Sequence, residues 1–230
     1  MSQLILIPAP LHEEGLQALP PYVWEGILSC QVFIVENERT TRRFFKRLSK
    51  DIIIDNYEWL NVEEPGTIAR CKQLFKEGKT IGLVSEAGCP GVADPGQAIV
   101  ALAHEAGCPV RPLVGPNSIL LALMASGLNG QQFKFNGYLP IEDKQREKTI
   151  QELEQQSRRE QCTQLFIETP YRNNPLLKAL LKCLSPSTQL CVAADLTSPT
   201  EWIATRTVVG WRKDPPDLHR RLVIFAFKAS

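Results

Sequence analysis

The sequence predicts an α/β fold of two α/β domains, an N-terminal one on a mostly parallel five-stranded sheet and a C-terminal one on a mixed sheet. Three observations predict it. Through the first half, short apolar runs alternate with helical patterns, the signature of βα units feeding a parallel sheet. In the second half the last strand patterns follow one another without βα units between them, which calls for a mixed sheet. The 230 residues, 43% hydrophobic and 22% charged, can fill two cores of ordinary size. The texture changes after Gly115, so the domains are read as 1–115 and 116–230.

Each element has a local reason. Leu4 to Ile7 is an apolar run stopped by Pro8, as expected of a buried parallel strand, and its loop is Pro8-Ala9-Pro10. A helix is expected over Tyr22 to Leu28 after Pro20-Pro21, then a strand from Val32 to Val35 ending at Glu36. Thr41 to Leu48 reads as a helix with Phe44, Phe45 and Leu48 inward and Arg39, Arg42, Arg43, Lys46 and Arg47 crowding the outer side. Ile52 to Ile54 is expected as a third strand, Pro65 to Glu77 as a helix closed by Gly78, and Thr80 to Val84 as a fourth strand. Gln97 to Ala106 is helical with Gly107 as its cap, and Val110 to Leu113 completes five parallel strands.

Gly115-Pro116-Asn117-Ser118 turns the chain, and Asn117 or Ser118 can cap an apolar helix over Ile119 to Ala125 that ends at Gly127. Beyond it a strand is expected at Lys134 to Tyr138, a polar loop at Leu139 to Lys148, and a charged surface helix at Thr149 to Arg159. Strands at Gln164 to Ile167, Gln189 to Val192, Trp202 to Thr207 and Leu222 to Phe227 follow, with a helix over Asn174 to Cys183 between the first two.

Charge and cysteine usage narrow the function classes. Twenty-six Lys and Arg stand against 25 Asp and Glu, a net charge of +1, so any nucleic-acid binding must come from a local patch such as the basic helix. The seven cysteines are scattered, with no Cys-x-x-Cys spacing, which argues against a disulfide framework or a zinc site and for a cytoplasmic setting. No signal-peptide pattern and no bilayer-length apolar run is present, so neither processing nor membrane association is expected.

The segment Ser85 to Gly96, Ser-Glu-Ala-Gly-Cys-Pro-Gly-Val-Ala-Asp-Pro-Gly, is the strongest site candidate. Its three glycines tolerate positive φ and its two prolines fix φ, so the backbone holds one irregular shape that presents bare amides and carbonyls at a strand's C-terminal end, where open parallel sheets bind ligands. An ordinary Gly- and Pro-rich turn is the competing reading. No Gly-x-Gly-x-x-Gly follows the first strand, and no P-loop, His-Glu-x-x-His or Gly-x-Ser-x-Gly occurs, which weighs against dinucleotide, P-loop, zincin and serine-hydrolase chemistry. Four strand-end loops remain, at Pro8 to Pro10, Glu36 to Arg39, Ser85 to Gly96 and Gly115 to Ser118. They are expected to line one cleft closed on its other side by the second half.

Ile-Pro-Ala-Pro, Glu-Asn-Glu-Arg-Thr-Thr-Arg-Arg, the Ser85 to Gly96 segment, Gly-Pro-Asn-Ser, Met-Ala-Ser-Gly-Leu, Gly-Tyr-Leu-Pro, Ile-Glu-Thr-Pro-Tyr-Arg and Ala-Ala-Asp-Leu-Thr occur in that order. The order resembles tetrapyrrole-methylase-type (class III) methyltransferases, and most nearly their branch that 2′-O-methylates a cytidine of 16S ribosomal RNA. The resemblance covers nearly the whole chain. It implies a tetrapyrrole methylase-like pair of α/β domains, S-adenosylmethionine as cofactor, a homodimer, and no metal.

Carried over by position, it implies that Pro8, Glu86, Ala87, Gly88, Val92, Ala93 and Asp94 bind the cofactor from the first half, and Pro116, Asn117, Ser118, Ser126, Ile167, Glu168, Ala194 and Leu196 from the hinge and second half. A sulfonium nucleoside needs a shaped pocket and backbone hydrogen bonds more than a charged cradle, which suits such loops. Glu36 and Glu168, both just beyond predicted strands, are the candidate catalytic bases; either can instead cap a loop or pair with Arg39 or Arg172. Arg39, Arg42, Arg43, Lys46 and Arg47 are the candidate RNA phosphate contacts, against a solvated helix face.

The chain departs from the branch at Glu86, Cys89 and Ala93, where Asp, Thr and Ser are usual. It also carries Ile-Glu-Thr-Pro-Tyr-Arg for Tyr-Glu-Ser-Pro-His-Arg and Ala-Ala-Asp-Leu-Thr for Ala-Arg-Glu-Leu-Thr. Three function readings therefore stand: an rRNA ribose methyltransferase acting on small ribosomal subunits, a methyltransferase of a small molecule such as a porphyrinoid, and a non-catalytic nucleotide-binding module.

Overall fold

A computed structural model describes residues 2–230; the chain divides into two compact units, a first ending at Asn117 and a second, Ser118–Ser230. The first unit is a doubly wound sheet. Strands β1 (Gln3–Ile7), β2 (Val32–Val35), β3 (Glu58–Asn61), β4 (Thr80–Val84) and β5 (Val110–Pro112) are all parallel, in the order β3-β2-β4-β1-β5. Their apolar runs are continuous because both faces are covered. Helices α1 (Tyr22–Leu28) and α2 (Glu38–Leu48) accompany the core formed by Ile5, Ile7, Phe33, Val35, Phe44 and Phe45. Helices α3 (Thr67–Lys76) and α4 (Gln97–Glu105) close the other core with Leu4, Val32, Ile34, Ile81 and Leu83. The connections change face after β3, which makes the C-terminal ends of β2, β4 and β1 the topological switch point of the sheet.

The second unit begins with α5 (Ser118–Ser126) and carries the mixed sheet β6-β7-β10-β8-β9. Strand β6 (Phe133–Tyr138) pairs parallel with β7 (Thr163–Ile167). Strand β10 (Val223–Lys228) runs antiparallel between β7 and β8 (Gln189–Ala194), and β9 (Trp202–Thr207) closes the edge. Its core stacks Phe166 on Phe225 at 5.7 Å and is covered by α6 (Asp143–Glu160), α7 (Asn173–Cys183) and the short α8 (Val208–Trp211). Trp211 donates its indole N–H to the Leu190 carbonyl at 2.7 Å, so this large core residue leaves no polar atom stranded. Glu154, buried on α6, accepts from Ser185 N (2.8 Å), Ser185 Oγ (3.1 Å) and Thr188 Oγ1, tying the helix to the turn before β8.

Two local expectations fail. Ile52 to Ile54 is not a strand: the segment ends in a 3-10 turn at Ile54–Asn56 that buries Ile52 and Ile54 in the α2-side core, and the third strand is the more polar Glu58–Asn61 at the sheet edge. An edge strand needs no continuous apolar run, so its pattern was too weak to read. Nor is Leu139 to Lys148 all loop, since α6 begins at Asp143. Arg146, buried on that first turn, bonds to Asp143 and to the Ile141 carbonyl at 2.9 Å, a start held by polar contacts that no apolar spacing announces. The seven cysteines are all free, and among the described residues no helix is long and apolar enough to cross a membrane.

Candidate functional site

In the first unit the parallel registers Ile7↔Val84 and Ile34↔Leu83 bring Pro8, Glu36 and Ser85 out of the sheet at one level. Buried Ser85 bonds through Oγ to the Asp94 carboxylate and to the Ala87 carbonyl at 3.0 Å, so the loop is closed on itself across nine residues. Two further bonds, Ala9 N to Gly88 O at 2.9 Å and Gly88 N to Ala9 O at 3.0 Å, join it to the loop after β1. Gly88 makes this turn at φ +80°, and a side chain there would start 3.3 Å from both Leu11 Cδ2 and the Pro116 carbonyl. Gly115 is packed more tightly still, since a Cβ would fall 2.2 Å from Pro8 Cβ. Cys89 Sγ lies 3.5 Å from the Pro116 carbonyl and is hydrogen-bonded with the Asn117 side chain.

The remaining first-unit residues implied by the resemblance divide by exposure. Pro8, Gly88 and Pro116 are buried and shape the loops; Asp94 and Asn117 are half-buried; Glu86, Ala87, Val92 and Ala93 are exposed. Ala93 holds φ +61°, an uncommon conformation for a residue with a side chain.

Glu36 is half-buried, and its main chain is fixed by Asn61 Nδ2 donating to the Glu36 carbonyl at 2.9 Å. Burial, with the Asp94, Glu86 and Glu63 carboxylates near it, pushes the Glu36 carboxyl above the usual carboxylate range, opposed by a hydrogen bond from the Glu86 backbone N–H. Burial raises Asp94 as well, against the Ser85 hydrogen bond. Among the described residues no ion pair joins Glu36 to Arg39. A carboxyl whose pKa is raised by burial and by neighbouring like charges has the electrostatic form of a general base, and the same cluster suits a cationic ligand.

The basic face of α2 is less free than the sequence suggests. Arg42 pairs with Glu38 at 2.6 Å and Asp55 at 3.4 Å and sits 5.2 Å from the Trp59 ring centre. Lys46 donates to the Lys50 (3.0 Å) and Ile52 (2.7 Å) carbonyls, and Arg47 to the Glu13 carbonyl. Arg43 is 3.9 Å from the Glu13 carboxylate with most of its side chain exposed, and exposed Arg39 has no polar partner among the described residues.

In the second unit Ser118 opens α5, and buried Ser126 spends its hydroxyl internally, donating to Leu123 O at 2.8 Å and accepting from Leu128 N at 3.0 Å. Ile167 ends β7 half-buried. Glu168, its side chain 1% exposed, pairs with Arg172 at 2.6 Å and accepts the Thr169 N–H at 2.6 Å. It therefore has the Arg172 partner that competed with a catalytic role in the sequence reading. Ala194 and Leu196 are buried at the end of β8, where Asp195 and Thr197 hold φ +52° and +67°. Asp195 is pinned by Arg221 Nε at 2.7 Å and Leu222 N at 2.9 Å. Sequence reasoning missed Asn61, Asp195 and Arg221; the small polar run after β8 was the signal available for the second of these.

The comparisons with known proteins bear on this arrangement. The family model for Tetrapyrrole (Corrin/Porphyrin) Methylases matches residues 13–209. The chain belongs to the tetrapyrrole methylase family. Among its relatives, a "Ribosomal RNA small subunit methyltransferase I" of Escherichia coli O157:H7 is 35% identical over 96% of this chain and 74% of its own length. The protein of that name from Bacillus subtilis (strain 168) is 31% identical over 93% and 71%. The namesake from Micromonospora olivasterospora is 33% identical over 86% of this chain and 60% of itself. Among solved structures the methyltransferase CobJ aligns over 100% of this chain and 95% of its own, with TM-score 0.63 at 16% identity. A uroporphyrin-III C-methyl transferase from Thermus thermophilus, complexed with S-adenyl homocysteine, aligns over 98% and 97%, with TM-score 0.57 at 12% identity. Both share the methylase fold of two α/β units.

Proposed function

We propose that this methylase transfers a methyl group from S-adenosylmethionine to RNA of the small ribosomal subunit, at a ribose 2′-hydroxyl. The observation that carries the reading is the 35% identity over nearly the whole chain to a relative named for that substrate. The first unit's chemistry fits the cofactor: rigid loops with bare amides at the switch point, and the carboxylates Glu36, Glu86 and Asp94 to balance a sulfonium. S-adenosylmethionine supplies a methyl on a positively charged sulfur with a neutral thioether as leaving group. The protein's share is then alignment and proton transfer.

Glu36 takes the proton of the attacking hydroxyl. Its raised pKa narrows the gap to the hydroxyl's own, and the Glu86 N–H returns some stability to the ionised form. Glu168 acts as a structural carboxylate that orients Arg172 at the end of β7. Residues Gly88 to Asp94, Pro116 and Asn117 hold the cofactor from the first unit. A cytoplasmic location and a homodimer go with this reading.

The test is methylation of small subunits purified from cells lacking the protein, with radiolabelled S-adenosylmethionine and mapping of the modified nucleotide. A labelled ribose confirms the proposal. Label in a base, or none alongside normal cofactor binding, rejects the acceptor; absent cofactor binding rejects the whole reading.

A further inference from the structure

Beside the proposed cofactor loop, the first unit has a recess of about 170 Å³ that neither the family resemblance nor the relatives' names assign. It lies at the switch point, walled by Ala9 to Glu13 after β1, by Thr40, Thr41, Arg43, Phe44 and Arg47 on one face of α2, and by Ser85 to Ala87 after β4. Ala9, Leu11, Phe44 and Ala87 make part of that wall apolar. Its size is comparable to the roughly 150 Å³ that holds one benzene ring in a protein interior, and well short of the ~300 Å³ or more of a site for a whole cofactor.

Part of its polar lining is unspent, although Thr41, Arg47 and Ser85 bond within the protein. Thr40 has a hydroxyl without a partner among the described residues. His12 accepts the Glu14 N–H on Nδ1 at 3.2 Å, which puts the ring's proton on Nε2 as a free donor. Arg43 is largely exposed, 3.9 Å from Glu13. Glu13 and Glu86 offset the arginines inside the recess, so it is no simple anion trap. What fits is a flat, neutral, single ring with hydrogen-bonding edges, joined to an anionic backbone at the rim.

We propose that this recess receives the single-ring base of the acceptor nucleotide, with Arg43 and Arg39 meeting the adjoining phosphates. It rests on the RNA reading above. A base lodged here lies against Ser85 to Ala87 at the start of the cofactor loop, and the Glu86 N–H that borders the recess is the one bonded to Glu36. The reacting ribose is thereby held at the carboxylate, and extrusion of the base from its stack supplies selectivity for a single-stranded target.

Saturation-transfer NMR on the full chain, with cytidine 5′-monophosphate and guanosine 5′-monophosphate as probes, tests this. Cytidine 5′-monophosphate is expected to show transfer, guanosine 5′-monophosphate markedly less, and Thr40→Trp, which fills the recess, is expected to abolish the cytidine signal. No cytidine signal, equal signals from both probes, or a cytidine signal that survives Thr40→Trp overturns the proposal. Should Thr40→Trp not fold, Arg43→Ala at its exposed position must weaken the cytidine signal, and an unchanged signal overturns the proposal equally. Binding that passes these tests while small subunits stay unmethylated would reject the methylation reading and leave the base recess standing.

Discussion

Replacing Gly88 with Val separates a cofactor loop from an ordinary turn. The new residue must hold φ +80°, which costs about 1–2 kcal/mol for an L-residue. Its Cβ starts 3.3 Å from Leu11 Cδ2 and the Pro116 carbonyl, and two γ-methyls must find space beyond it, an overpacking of about 1–3 kcal/mol. The sum, roughly 2–5 kcal/mol, is below the ~5–15 kcal/mol that holds a typical domain, so the variant folds with a melting temperature lower by on the order of 10 °C. The crowding acts on the Ala9–Gly88 bridge, so affinity for S-adenosylhomocysteine, read by calorimetry, should fall at least about tenfold. Gly91→Val is the control: its φ is +77° but nothing lies within 4 Å of its Cβ, so it incurs the backbone cost alone. Wild-type affinity in Gly88→Val, or equal destabilisation by the two variants, would refute the reasoning.

Three further outcomes are expected. The Glu36 pKa is raised on folding, so its stabilising contribution is complete below the ordinary carboxylate pKa of about 4.3 and is lost as pH rises through the raised value. Glu36→Gln should therefore match the wild-type melting temperature near pH 4, exceed it at pH 7, and lose about 10²–10⁴-fold in methyl transfer; a variant with neither change argues against the base. Arg172→Ala strands the Glu168 carboxylate, 1% exposed, and should cost about 3–5 kcal/mol by chemical denaturation, whereas a loss under about 1 kcal/mol would mean that the pair is solvated. Arg39→Ala should weaken RNA binding and reduce its salt slope by about 1 without changing stability, while Arg42→Ala, with Glu38, Asp55 and Trp59 as partners, should lower the melting temperature more than RNA affinity.

Much of the fold was legible because the parallel strands are buried on both faces: Val32 to Val35 and Thr80 to Val84 are continuous apolar runs, and their bounds coincide with β2 and β4. The same rule misled at Ile52 to Ile54, where β-branched residues are buried from a turn, and it was silent at Glu58–Asn61, where the edge requires no apolar run. At the site, the order of strand-end loops could be read, but not which polar atoms they share. Glu36 with the Glu86 N–H is a long-range consequence of strand register and Ser85 with Asp94 of one loop closing on itself, and no local pattern of residue types encodes either. The basic helix shows the reverse limit. Its charges are plain in sequence, whereas, Glu38 apart, the partners that occupy Arg42, Lys46 and Arg47 lie outside the helix.

The paired bonds between Ala9 and Gly88 also bear on how the site can move. Strands β1 and β4 run parallel, yet the short bridge beyond their ends is antiparallel, so the segment after β4 has doubled back to meet the one after β1. An excursion of Gly88 that keeps this bridge carries Ala9, one wall of the recess, with it, so the proposed cofactor loop and the proposed base recess would open together.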